Sequence, residues 1–198
     1  MSPVVQPDDR LLWERTRAGD ADAFTTLFER HATAIYNYCF RRVGDWGAAE
    51  DLLSIVFLEA WRRRRKQLPP GKVMAWLYGI ATNVVRNRRR SERRYRAALA
   101  RVTLPRPELD FRDEAIERIH DERRMALALE LLAALRRQQQ DVVVLCEWSE
   151  LSYEDAAFAL GVPVGTVRSR LSRARQALEE LAAPAGHEQA EVAKETAP

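Results

Sequence analysis

Residues 152–175, SYEDAAFALGVPVGTVRSRLSRAR, constrain the fold more tightly than any other part of the chain. Ser152 with Asp155 three residues on has the form of a helix N-cap with its acidic partner. Tyr153, Ala156, Ala157 and Leu160 then recur at helical spacing, so a short helix here has one apolar face. Gly161 falls where that helix must stop and turn, and Pro163 suits the first turn of a second helix. Val167, Leu171, Ala174 and Leu178 follow on one buried stripe, which leaves Arg168, Ser169, Ser172 and Arg173 on the opposite face. Two short helices around a tight glycine turn, with an arginine and serine face on the second, have the design of a helix-turn-helix that reads duplex DNA. A plain helical hairpin with a solvated basic face is the competing reading, and it does not account for capping, turn, stripe and arginines coinciding.

Charge distribution adds a second surface. The net charge is only +3, but 13 Lys/Arg face a single acid, Glu92, between Trp61 and Arg96. A local excess of this size implies a polyanionic partner. Within WLYGIATNVVRNRRR (76–90), Leu77, Ile80, Ala81 and Val84 make a core stripe, while Asn83, Arg86, Asn87 and Arg90 line another face. Amides can bond base edges, and arginines bind phosphates and stack on bases. Trp76 and Tyr78 are available as stacking surfaces for unpaired bases, with core packing the competing role for Trp76. One surface thus suits duplex DNA and the other suits backbone plus exposed bases.

The rest of the chain reads as all-α, with 46 % hydrophobic residues to form cores and almost no strand signal. Helices are predicted over 9–18, 21–43, 48–65 and 73–94 in a first domain (8–96), with a firm loop at Leu68-Pro69-Pro70-Gly71. In the third helix Leu53, Val56, Phe57 and Ala60 are predicted to face inward. Asp51, Ser54, Ile55 and Leu58 then face outward, and two exposed aliphatics there suggest a partner surface. A flexible linker is predicted over 97–123, carrying Pro105, Pro107 and seven acids from Glu108 to Glu122. A second domain (124–182) packs helices at 125–135 and 138–148 with the helix-turn-helix, and an Ala/Glu-rich tail (183–198) is predicted to be disordered.

Several classes are disfavoured. Cys39 and Cys146 stand alone in apolar surroundings, so no disulfide framework or zinc site is expected, and no metal or other cofactor. The three histidines are scattered and no phosphate loop or metalloprotease motif is present, so no catalytic residue is assigned and no enzyme is expected. No apolar run is long enough to span a membrane and the N-terminus lacks signal-peptide character, which suggests a cytoplasmic protein without membrane insertion.

At AEDLLSIVFLEAWR (49–62), MAWLYGIATNVVRNRRR (74–90) and ELSYEDAAFALGVPVGTVRSRLSRAR (150–175) the chain resembles the bacterial RNA polymerase sigma factors of the extracytoplasmic-function (ECF) group, which keep only sigma domains 2 and 4. Three motifs in the expected order are far more specific than one. The resemblance implies a factor that binds core polymerase and directs promoter-specific initiation. Asp51, Ser54, Ile55, Leu58 and Trp61 would dock on the clamp helices of the largest polymerase subunit, although Ser54-Ile55 stands where many members carry Gln-Glu. Leu68, Trp76, Tyr78, Asn83, Arg86, Asn87 and Arg90 would recognise the −10 element, with Asn83 and the loop around Leu68–Val73 capturing a flipped non-template base. Thr166, Arg168, Ser169, Arg170, Ser172 and Arg173 would read the −35 element. Leu135 and the 138–148 region would sit against the flap of the second-largest subunit, and an anti-sigma factor is a further implied partner. A helix-turn-helix regulator acting without polymerase would explain only residues 150–180.

Overall fold

The computed structural model describes residues 8–99 and 118–195, and among these it is helical with no strand. Four helices form the first half: α1 (Asp9–Arg17), α2 (Ala21–Val43), α3 (Trp46–Arg62) and α4 (Val73–Leu99). The first three start at aspartates. Asp8, Asp20 and Asp45 each accept a backbone N–H three residues on, satisfying donors that a helix cannot pair internally. The Asp45 cap starts α3 two residues before the predicted Ala48. Gly44 ends α2 in the left-handed conformation at φ 71°, which glycine adopts without steric cost.

The interior of this half holds Leu12, Leu27, Ile35, Tyr38, Leu52, Val56, Leu77 and Val85, all essentially inaccessible to solvent. Trp13 meets Trp76 edge to face at 4.7 Å, and its indole Nε1 donates to the Lys66 carbonyl at 3.1 Å. That bond fixes the loop before α4 against α1. In α3 the buried register is Ala49, Leu52, Val56, Phe57 and Ala60, so the predicted inward Leu53 is displaced to the edge of the core by Leu52.

The second half contains α5 (Arg118–Ala134), α6 (Arg137–Val143), a π-helical turn (Val144–Trp148), α7 (Tyr153–Leu160) and α8 (Val164–Glu195). The predicted single helix at 138–148 therefore widens after Val143. Val142, Val143, Val144 and Leu145 are consecutive yet all buried, which means that packing surrounds this segment on several sides. Further boundaries differ from the sequence expectation, and α4 already runs to Leu99, into the predicted linker. Helix α5 begins at Arg118, inside the predicted linker, and α8 continues through Glu195 where a disordered tail is predicted. The tail stretch is rich in Ala and Glu, strong helix formers, although it also carries Pro184 and Gly186. The remaining predicted linker, residues 100–117, lies outside the described residues.

The two halves pack on each other. Helix α4 lies against α7 so closely that a Cβ on Gly79 would sit 2.7 Å from the Ala159 carbonyl oxygen. Only glycine permits this approach without movement of one helix. Glycine in a helix interior costs about 1 kcal/mol relative to alanine, so this position is occupied for packing.

Candidate nucleic-acid interface

Local rules build the helix-turn-helix. Ser152 Oγ accepts the Asp155 N–H at 3.0 Å and donates to its carboxylate at 2.7 Å. Gly161 turns the chain at φ 66°, and Val167, Leu171 and Ala174 are buried under α8, with Leu178 half-buried beyond them. Arg168, Ser169, Ser172 and Arg173 are exposed together on the outer face. Thr166 and Arg170 are partly covered at its margins. Arg168 lies 5.8 Å over the Tyr153 ring, and Ser169 Oγ donates to the Thr166 carbonyl at 3.1 Å. Donors capable of bidentate bonding therefore stand along one solvent-facing line.

The polar stripe of α4 does not present one face. Asn83 and Asn87 are exposed and line a groove of about 850 Å³ between α3 and α4, opposite Asp51, Ser54 and Ile55. Arg86 turns the other way, into the second half, where it bonds Asp141 at 2.6 Å. Arg90 is exposed. Trp76 and Tyr78 are both buried, which gives Trp76 the core-packing role and corrects the assignment of either as a stacking surface. Tyr78 packs edge to face on Tyr38 at 5.4 Å, and burial raises its hydroxyl pKa above the usual tyrosine value. Leu68 is half-buried against the core.

On α3, Asp51, Ser54, Ile55 and Leu58 are exposed, as the sequence predicts. Ile55 is 44 % and Leu58 48 % accessible, a degree of exposure that leaves two aliphatic side chains wet. Trp61 is half-buried, its ring 5.1 Å from Phe24 and covered by the Arg64 guanidinium at 4.4 Å. Its packing is chiefly internal.

The seam between the halves carries polar groups that sequence patterning did not single out. Asp141 is fully buried and accepts from Arg42 at 2.7 Å as well as from Arg86. Arg89 donates to Gln140 Oε1 at 2.7 Å and to the Arg42 carbonyl, while Arg41 donates to the Trp148 carbonyl at 2.5 Å. Lys72 reaches Asp155 at 2.7 Å. Burial raises the Asp155 pKa, but hydrogen bonds from Lys72 and Ser152 outweigh it and hold the group below its usual 3.8. Burial and the neighbouring charges of Arg42 and Arg137 lower the Arg89 pKa from its usual value. Carboxylates of the second half thus neutralise Arg42, Arg86 and Lys72 of the first half.

Cys39 and Cys146 are free thiols, pushed up to about 12 and about 11 mainly by burial, so neither is poised as a thiolate nucleophile. Among the described residues no helix is long and apolar enough to cross a membrane.

A helix-turn-helix with an open arginine face, joined to an arginine-rich four-helix unit, defines an all-helical DNA-binding protein with two unlike surfaces. Residues 27–95 match the family model for sigma-70 region 2, and residues 125–178 match that for sigma-70 region 4. The RNA polymerase sigma-H factor of Pseudomonas aeruginosa is 32 % identical over 188 residues, covering 91 % of this chain and 97 % of the relative. The ECF RNA polymerase sigma-E factor of Escherichia coli strain K12 is 30 % identical over 186 residues, covering 90 % and 96 %. The solved sigma factor RpoE from Bartonella quintana, in complex with the anti-sigma factor NepR, superposes with a TM-score of 0.61 at 25 % identity, covering 80 % of this chain and 95 % of that one. The chain belongs to the ECF group of the sigma-70 family of RNA polymerase sigma factors, which direct promoter-specific transcription initiation. Members of this family are not enzymes.

Proposed function

We propose that the chain acts in the cytoplasm as the promoter-reading subunit of RNA polymerase, with its roles divided among three surfaces. Helix α8 reads the −35 duplex in the major groove through Arg168, Ser169, Ser172 and Arg173, flanked by Thr166 and Arg170. Each arginine that pairs bidentately with guanine contributes roughly 1–3 kcal/mol of discrimination. The groove between α3 and α4 serves the −10 element. Asn83 and Asn87 offer amides to an extruded base there, the Leu68–Val73 loop contributes to its capture, and Arg90, with Arg86 once it leaves Asp141, holds the backbone. Extrusion costs a few kcal/mol, which such contacts must recover. Trp76 and Tyr78 hold α4 in place from within.

Core polymerase engages the outer face of α3 through Asp51, Ser54, Ile55 and Leu58 against the clamp helices. The exposed pair Ile55 and Leu58 is the single observation that carries this docking, because a wet aliphatic patch is best accounted for by a partner. For the flap of the second-largest subunit this chain offers an apolar cleft of about 360 Å³ bordered by Leu131, Leu132, Val143, Trp148 and Leu178. An anti-sigma factor is a further partner, in keeping with the NepR complex of the Bartonella relative.

The test is reconstitution with core polymerase in the absence of DNA. Ile55→Glu is expected to weaken capture by core polymerase while shifting thermal stability by less than about 0.5 kcal/mol, as surface changes usually do. Loss of folding would instead place Ile55 in the core, and unchanged capture would remove this face from the interface.

A further inference from the structure

The seam forms an open polar groove of about 620 Å³ lined by Arg42, Arg88, Arg89, Arg93 and Arg137 together with Asp45, Glu92 and Gln140. Its walls come from both halves: α2, the start of α3 and α4 on one side, α5 and α6 on the other. Five guanidiniums thus converge on two lining carboxylates, with Asp141 behind Arg42. Asp45 is committed to capping α3 at 2.6 Å and Glu92 bonds Arg88 at 2.7 Å. Arg42 is almost fully buried, and its Nε has no hydrogen-bond partner. Arg93 and Arg137 are exposed at the mouth, with no ion pair to any described residue. Of the five arginines only Arg42 is buried, and it is paired with Asp141; its unpartnered Nε and the guanidiniums at the mouth leave donor capacity that an anion would complete.

We propose that this groove binds a small polyphosphate anion, two or more linked phosphates, across the seam. The guanidinium fork matches phosphate oxygens bidentately, and neutralising several arginines at once requires more than one negative group. A volume of this size falls in the range of small-ligand sites and accommodates such a chain of phosphates. Because the walls belong to both halves, occupancy favours the packed arrangement over the separated one.

Isothermal titration of the full chain with inorganic tripolyphosphate at about 0.15 M salt tests the site, since screening there suppresses loose surface attraction. The expected result is saturable one-to-one binding that Arg93→Ser/Arg137→Ser weakens by about tenfold or more, as loss of two charge-assisted contacts demands. Both residues are exposed and unpaired, so the variant retains its fold, checked by thermal melting. The control Arg10→Ser/Arg65→Ser removes equal charge from the exposed surface elsewhere and should leave binding unchanged. Gly79→Leu, which forces α4 and α7 apart without touching an arginine, should weaken binding as well. Absence of saturable binding, equal weakening in the control, or full binding by Gly79→Leu would each overturn the proposal.

Discussion

The two arginine-bearing helices meet solvent in opposite ways. Helix α8 holds Arg168 and Arg173 exposed, with no carboxylate paired to them among the described residues, so its face is open to solvent. Helix α4 has Arg86 committed to a buried carboxylate of the other half and Arg89 to Gln140 and a backbone carbonyl. The same residue type at similar helical spacing therefore has different availability, and tertiary packing makes the difference. On the proposed assignment, the packed state presents the −35 reader while Asp141 and Asp155 hold Arg86 and Lys72, cations of the proposed −10 side.

Removing Asp141 should disturb this contrast most. Asp141→Ala leaves Arg42 buried without its counter-charge, and breaking a buried pair in this way destabilises by about 3–5 kcal/mol. Chemical denaturation measures it, and Arg42→Met/Asp141→Leu should recover much of the loss, because apolar groups of similar volume replace such pairs well. If the single variant is as stable as the native chain, the pair is not the seam's anchor.

On the open face, Arg168→Ala should cost roughly 1–3 kcal/mol of discrimination at one −35 position. Stability and core polymerase capture should be unaltered, since Arg168 supports no core contact. Transcription from promoters varied at each −35 base checks this, and unchanged preference would move the reading to another face.

The smallest effect is on the Lys72–Asp155 bridge. Asp155 has a depressed folded pKa, so its contribution is present above its unfolded value near 3.8 and is lost as pH falls through the lower folded value. Packing of the halves should therefore loosen on acidification, in part through this carboxylate, and Asp155→Asn should flatten that part of the pH dependence in scattering measurements. An identical acid response in the variant would assign the loosening to other groups.

Much of this was legible from the sequence, for a physical reason. Capping at Ser152, the turn at Gly161 and the stripe of Val167, Leu171 and Ala174 are local devices, so neighbouring residues alone determine them. The outward set Asp51, Ser54, Ile55 and Leu58 was likewise readable from periodicity. The α4 stripe was not, because Asn87 and Arg86 lie about 100° apart around a helix axis. That width is enough for two neighbours to claim opposite edges. Tyr78 and Trp76 gave no sequence signal distinguishing a buried ring from a stacking platform. The seam depended on pairings between residues about 100 positions apart, such as Arg42 with Asp141. Two faint signals existed: Gly79 in the interior of an otherwise strong helix, and Asp141 leading into the apolar run Val142–Leu145.

Gly79 also allows the most direct test of the claim that packing covers the −10 surface and spares the −35 reader. Binding of a −35 duplex and of a single-stranded non-template −10 oligonucleotide should be compared for the native chain and Gly79→Leu, without polymerase, using promoter sequences from mapped transcription starts. The account predicts equal duplex affinity in both proteins and about tenfold or greater tightening for the single strand in Gly79→Leu, a shift of about 1.4 kcal/mol once Arg86 is released. Equal single-strand affinity, with scattering showing the halves separated, would contradict it.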